Sequence, residues 1–228
     1  TIWTQGQAVG EFMNGKLFGR KFEGISVAGS HGKTSTTAML ATIFKENGFD
    51  PSFLIGTGDV VSLGTPGHFG KGTYFIAEAD EYATEPTHDA KAKFLWQHPK
   101  IAIFTNIEFD HPDLYASIDD VREAFLQFAH NIAKDGVLNL NGDDRESQKL
   151  GGSYGGRIIT FGEHPGNDFI LKKISISGSQ TFFWAESHGA SLGDFTLRVA
   201  GEHHAYNALG AIVASIEAGL PVDKIREG

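Results

Sequence analysis

The chain has 228 residues, 40% of them hydrophobic and 21% charged, with no cysteine and a formal net charge of −9. The acidic surplus argues against a general nucleic-acid binder, which needs a basic face, but leaves room for a nucleotide site built from local N–H groups and one or two cations. Without cysteine there are no disulfides, thiolate metal sites or thiol nucleophiles, which fits a cytoplasmic protein; no apolar run approaches the roughly 20 residues of a membrane helix, and the first residues lack a signal-peptide layout.

Residues 1–22 read as a helix or arm leading in, with Val9, Phe12 and Met13 as a weak apolar face. "GISVA" (24–28) is a short strand, and "KTSTTAMLATIFKENG" (33–48) has helical spacing at Leu40, Ile43 and Phe44 with a C-terminal glycine. "PSFLIG" (51–56) is a second strand and the glycine-rich 57–72 a loop. "TYFIAEA" (73–79) and "KIAIFTNI" (100–107) are two more strands, with a helix expected over 87–97. Val121, Phe125, Phe128 and Ile132 recur at three- and four-residue spacing, so 117–133 is an amphipathic helix. Ser117 followed by Asp119 and Asp120 favours its start. "GVLNLN" (136–141) is a fifth strand.

These strands are continuous apolar runs alternating with helices. The fold class they imply is α/β, a mostly parallel sheet covered on both faces. From about 155 to 200 the texture changes. "RIITFGE", "DFILKKISISG", "QTFFWAES" and "DFTLRVAG" read as a small antiparallel sheet. A last helix, 203–219, follows. Phe182, Phe183 and Trp184 read as strand packing.

The chemistry concentrates at strand ends, where parallel α/β sheets bind ligands. "AGSHGKTS" follows the first strand. Gly29 and Gly32 permit a close turn. The N–H groups of Ser30, His31, Gly32, Lys33 and Thr34 then surround a phosphate, Ser35 continues the helix start, and Lys33 reaches the outer phosphates. The Thr34 hydroxyl suits Mg²⁺. The pattern is G-x-x-G-K-T, shorter than the general P-loop, with Val27 where that loop has its first glycine. The competing reading is a tight turn with a solvated lysine. The next strand ends in Glu78, Asp80 and Glu81, and the one after in Asn106, Glu108, Asp110 and His111. Mg²⁺ takes oxygen ligands and shares them with substrate phosphates, so a carboxylate beside Thr34 is what an ATP–Mg²⁺ site requires. Asp143 and Asp144 serve a turn or touch nucleotide.

"AGSHGKTSTTAML", "IAEADEY", "FTNIEFDHPDLY", "LNLNGDD" and "GEHHAYNALGAI" occur in the order found in the Mur ligases, the ATP-dependent amide-bond ligases of peptidoglycan synthesis, and the chain resembles that family over nearly its whole length. Within the family the alanine-adding branch is nearest and the tripeptide-adding branch, favoured by "DEY" and "EFDH", is second. The resemblance implies ATP and Mg²⁺ as cofactors, with UDP-N-acetylmuramate and an amino-acid or peptide amine as partners. Neither nucleic acid nor membrane is among them, and the sequence carries no signal of oligomeric state. It implies three domains. Residues 23–228 would be the central, ATP-binding one, 1–22 the passage from an N-terminal UDP-sugar domain, and the C-terminal domain would lie outside these residues. It assigns Lys33 to phosphate, Thr34 and Glu78 to the metal between the phosphates, and His111 to a second metal supported by Asp110. Lys33, Glu78 and His111 are thereby the catalytic set. His203 and Asn207 match the family's G-x-H-N-x-x-N segment, Asn207 toward adenine, with His204 in place of the first Asn. Residues 112–133 contain no lysine, matching the two branches that lack a carbamylated one. A P-loop kinase or NTPase, or a nucleotide-binding module without turnover, stays open as an alternative.

Overall fold

The computed structural model describes residues 2–228. A helix α1 (Gln5–Met13) opens the chain, started by a capping box in which Thr4 and Gln7 exchange hydrogen bonds. Strand β1 (Glu23–Ala28), helix α2 (Lys33–Glu46), β2 (Ser52–Leu54), β3 (Gly67–His68) and β4 (Tyr74–Glu78) follow. A hairpin, β5 (Ala83–Glu85) and β6 (Asp89–Ala92), and a 3-10 turn (Lys93–Trp96) lead to β7 (Ile101–Phe104). Then come α3 (Ile118–Ala129), β8 (Val137–Asn141), α4 (Arg145–Ser153) and β9 (Ile158–Gly162). Strands β10 (Phe169–Ser177), β11 (Gln180–Ser187) and β12 (Ala190–Leu197) precede α5 (Glu202–Glu217) and α6 (Val222–Glu227).

Ten strands form one sheet in the order β12-β11-β10-β9-β8-β7-β1-β4-β2-β3. From β2 to β10 all pairings are parallel; β3, β11 and β12 join antiparallel. The expected antiparallel unit is therefore three strands that extend the main sheet. "RIITFGE" is not among them. Its residues 158–161 pair in parallel with β8, because its apolar Ile159 and Phe161 fill the core beneath α5.

The central strands are buried on both faces, as their unbroken apolar runs require. On one face Ile25, Val27, Ile76, Ile101 and Ile103 pack with α2 and α5. On the other, Ala102, Phe104, Leu138 and Leu140 meet Phe125 and Phe128 of α3. A third cluster seats α1 on the sheet through Met13, Phe22 and Phe75. No helix among the described residues is long and apolar enough to cross a membrane.

Two expectations change. Residues 87–97 form no α-helix. The Lys93 N–H donates to Tyr82 O and the Phe94 N–H to Asp80 O, so these donors are taken by the segment leaving β4 and a hairpin wins over the modest helix preference of Ala and Lys. Helix α4 is an addition: Gly151 and Gly152 mask it in the sequence, while Asp144 caps it by accepting from the Ser147 N–H at 2.7 Å.

Asn139 sits in β8 between Ile103 and Ile159, fully buried, and neither its Nδ2 nor its Oδ1 finds a partner among the described residues. A buried unpaired carboxamide costs stability that an apolar side chain does not. Asn139→Val is expected to stabilise the fold by about 1 kcal/mol, read as a higher urea midpoint at unchanged slope. A lower midpoint would refute the assignment.

Candidate functional site

The carboxyl ends of β4, β1 and β7 lie side by side. The chain order switches there: β1 runs to β2 on one side, and β7 takes the other. That is where an open α/β sheet leaves a crevice.

The loop after β1 fills this crevice. Gly29 has φ 144 and Gly32 φ 83. A side chain at Gly29 would run into Thr105, and one at Gly32 into Asn207. The Ser30 N–H donates to Asn106 O at 3.2 Å and the His31 N–H to Asn106 Oδ1 at 2.8 Å. Thr105 Oγ1 donates to His31 O at 2.5 Å. Two of the five N–H groups expected to face a phosphate are thus committed to Asn106. Gly32 precedes helix α2 and offers no side-chain cap, and the amides of the first turn, Lys33 to Ser35, have no helical carbonyl before them to bond. That is a site for an anion.

Two sets of side chains face the loop. In the first, Thr34 Oγ1 donates to Glu78 Oε2 at 3.2 Å, and Glu78 Oε1 accepts from the Gly56 N–H at 2.6 Å. Gln97, 3% exposed, ties the strand tips by donating to Glu78 O at 2.8 Å and accepting from Ser26 Oγ at 2.6 Å. In the second, Lys33 Nζ lies 2.9 and 3.2 Å from the two oxygens of Glu81 and 2.6 Å from Gly29 O. His111 Nε2 is 3.8 Å from Glu81 Oε1 and 3.7 Å from Asp110 Oδ2. His111 holds φ 58, a left-handed backbone seldom adopted outside glycine, with its ring beside Tyr82 at 4.8 Å. One oxygen or nitrogen from each of Glu81, Asp110 and His111 falls within 4.8 Å of the others.

Glu81 is the residue that the sequence reading leaves without a role. Its side chain is 2% exposed, and Tyr115 fixes its backbone by donating to Glu81 O at 2.6 Å. Burial, with the charges of Glu81 and Asp80, holds the Tyr115 phenol far above its usual range, so it stays a donor. Nothing in "EADE" distinguishes Glu81 from Asp80; only the turn after β4 does. Thr105 and Gln97 were equally unmarked.

Asp80 points elsewhere, bonding Lys93 Nζ at 2.8 Å and the Tyr82 N–H at 3.2 Å. Burial pushes its carboxyl up, but these bonds and the charges of Lys93 and Lys33 outweigh it and leave it below the usual value of 3.8. A depressed folded pKa gives stability that is full above the unfolded value and lost as pH falls through the folded one. Asp80→Asn is expected to lower the urea midpoint at pH 7, and the gap to the parent is expected to close below about pH 4. A gap independent of pH would rule out the ion pair.

Of the α5 residues, Asn207 reaches the loop, with its carboxamide against Gly32. His203 is exposed at the first turn, its ring tilted against that of His204 with centroids 4.1 Å apart. Burial, then His203, lowers the pKa of His204. A cleft of about 900 Å³ is lined by Ser35 and Met39 of α2, His204 and Ala208 of α5, Phe195 of β12 and Arg226 of α6. Asp143 is spent on a turn: it accepts from the N–H groups of Glu163 and His164 and from Asn167 Nδ2. Phe183 is buried and stacks on Phe195, which is strand packing.

A profile of the Mur ligase middle domain matches residues 27–215. The chain belongs to the Mur ligase family. A UDP-N-acetylmuramate–L-alanine ligase of Geobacter sp. (strain M21) is 37% identical over 205 residues, 90% of this chain and 42% of the relative. The chain thus spans less than half the length of that relative. Among solved structures, a UDP-N-acetylmuramate–alanine ligase from Thermotoga maritima aligns over 95% of this chain and 46% of its own, with TM-score 0.76 and 27% identity. UDP-N-acetylmuramate:L-alanyl-γ-D-glutamyl-meso-diaminopimelate ligase from Neisseria meningitides has TM-score 0.83 at 24% identity, over 96% of this chain and 68% of its own, a likeness of fold. Members of the Mur ligase family use ATP.

Proposed function

We propose that this Mur ligase chain binds ATP with Mg²⁺ and serves, within a polypeptide of its relatives' length, the joining of L-alanine to UDP-N-acetylmuramate. The observation that carries the reading is the uncapped start of α2 at Lys33, flanked by Glu78 on one side and Glu81 with His111 on the other. A helix N-terminus, one lysine and two carboxylate groups are what a polyphosphate with divalent metal calls for. The substrates in this reading are those that the Geobacter relative is named for.

In this reading the first-turn amides and Lys33 bind the β- and γ-phosphates. The donor sets fit a hard cation: the Thr34 hydroxyl with Glu78, and Glu81 and Asp110 with His111. Such a cation, when bound, neutralises charge on the phosphates. His203 and Asn207, in the first turns of α5, are assigned in this reading to the adenine base, Asn207 from its place against Gly32. The ligase then moves the γ-phosphoryl group from ATP to an oxygen of the muramoyl carboxylate, releasing ADP. The amine attacks the acyl carbon, phosphate leaves, and the nitrogen loses a proton to give the amide. The chain's part is to hold the phosphoryl group in line and offset its charge. Residues 23–228 correspond in this reading to the family's middle domain.

Calorimetry with residues 1–228 is expected to show ATP binding that requires Mg²⁺, with no amide formed by this segment alone. A polypeptide of the relatives' length, given UDP-N-acetylmuramate and ATP, is expected to release ADP with L-alanine and not with the tripeptide. Turnover with the tripeptide alone would move the assignment to the other branch; metal-independent ATP binding would overturn the site.

A further inference from the structure

The Lys33 ammonium is turned toward the protein's own oxygens. An ammonium has three N–H donors, and Gly29 O and the two oxygens of Glu81 lie at 2.6, 2.9 and 3.2 Å. All three donors are met from inside the protein. The ammonium is also a requirement for Glu81, whose side chain is 2% exposed against 16% for that of Lys33. A buried carboxylate is costly unless a charge answers it. Lys33 is the close cation, since His111 stands 3.8 Å away. Yet Glu81 Oε1 is the atom that faces both Lys33 and His111, and it belongs to the Glu81–Asp110–His111 group.

We propose that Lys33 is a placeholder cation: without ligand it occupies the cation position at Glu81, and it leaves for the nucleotide's phosphates only as a divalent metal takes that position. The proposal rests on the nucleotide reading above and adds an order to it. A metal arriving alone meets an ammonium of the same sign on its ligand, and repulsion at 3 to 4 Å is strong in a partly buried site. A nucleotide arriving without metal strips Lys33 from Glu81 and leaves a buried charge unanswered. Arriving together, the phosphates receive the lysine and Glu81 receives the metal, so neither charge is left alone. Nucleotide and metal are therefore coupled through one side chain, and the coupling is reciprocal.

Two arms test it. In the first, Mn²⁺ binding without nucleotide is followed by electron paramagnetic resonance. Lys33→Met, checked for folding by circular dichroism, is expected to bind Mn²⁺ roughly tenfold or more tightly than the parent, and Lys33→Met with Glu81→Gln to lose the gain. In the second, ADP binding is measured in EDTA. Glu81→Gln frees Lys33 and is expected to bind metal-free ADP several-fold more tightly than the parent. A folded Lys33→Met chain with no gain for Mn²⁺ overturns the proposal. So does a Glu81→Gln chain with no gain for metal-free ADP, a result independent of whether Lys33→Met folds. If the parent still binds ADP in a Mn²⁺-dependent way, only the placeholder has failed. If it does not, the nucleotide reading falls as well.

Discussion

Lys33→Ala is expected to cost residues 1–228 about 100-fold in Mg²⁺-dependent ATP affinity, ~2.7 kcal/mol. The figure matches a charge-assisted hydrogen bond to phosphate, worth ~1.5–3 kcal/mol. The same change strikes the fold. It leaves Glu81, 2% exposed, without its ammonium, and breaking a buried pair from one side costs about 3–5 kcal/mol. The two losses separate in a double variant. Lys33→Ala with Glu81→Gln removes both charges, so most of the urea midpoint is expected to return while ATP binding does not. Calorimetry at a temperature where circular dichroism shows each variant folded measures the first effect, and urea titration the second. Parent-like ATP affinity in a folded Lys33→Ala chain would remove the lysine from the site. A double variant as unstable as the single one would mean that the Lys33–Glu81 pair is not the source of the loss.

The strands that carry the site were legible because burial on both faces demands unbroken apolar runs, and "GISVA", "YFIAEA" and "IAIFTNI" have them. The loop was legible because glycine spacing and a lysine at a strand–helix junction are local features. What stayed hidden was set by distance in the chain. The hairpin over 83–92 is closed because the Lys93 and Phe94 N–H groups just after it reach Tyr82 O and Asp80 O, a pairing no local propensity encodes. Strand β9 joins in parallel because Ile159 and Phe161 fill the space under α5. Glu81 gains its standing from a turn that aims it at Lys33, while the neighbouring Asp80 turns to Lys93. Gln97 acts on a backbone group of β4 and Thr105 on one in the loop after β1, both far off in sequence, and a Gln or Thr in an apolar stretch announces nothing of the kind.

Asn207 shows how the loop and the last helix are joined. It stands 175 residues beyond Gly32, is 8% exposed, and would lie 2.4 Å from a Cβ placed at Gly32. Gly32 itself holds φ 83 at the first position before α2. The absence of a side chain there meets two demands at once, and Gly32→Ala violates both. A left-handed backbone costs a non-glycine residue ~1–2 kcal/mol, and forcing a methyl into packed surroundings adds ~1–3 kcal/mol. The sum, about 2–5 kcal/mol, is expected to lower the melting temperature on the order of 10 °C for a chain of this size. Mg²⁺-dependent ATP binding is expected to fall with it, because the strained turn re-aims the first amides of α2. Adding Asn207→Ala relieves the clash but not the φ strain. The double variant is therefore expected to regain about 1 kcal/mol or more relative to the sum of the single losses, with ATP affinity still reduced. Strict additivity of the two substitutions would show that the loop and α5 do not press on each other, and parent-like ATP affinity in Gly32→Ala would show that the left-handed turn is not what aims the amides.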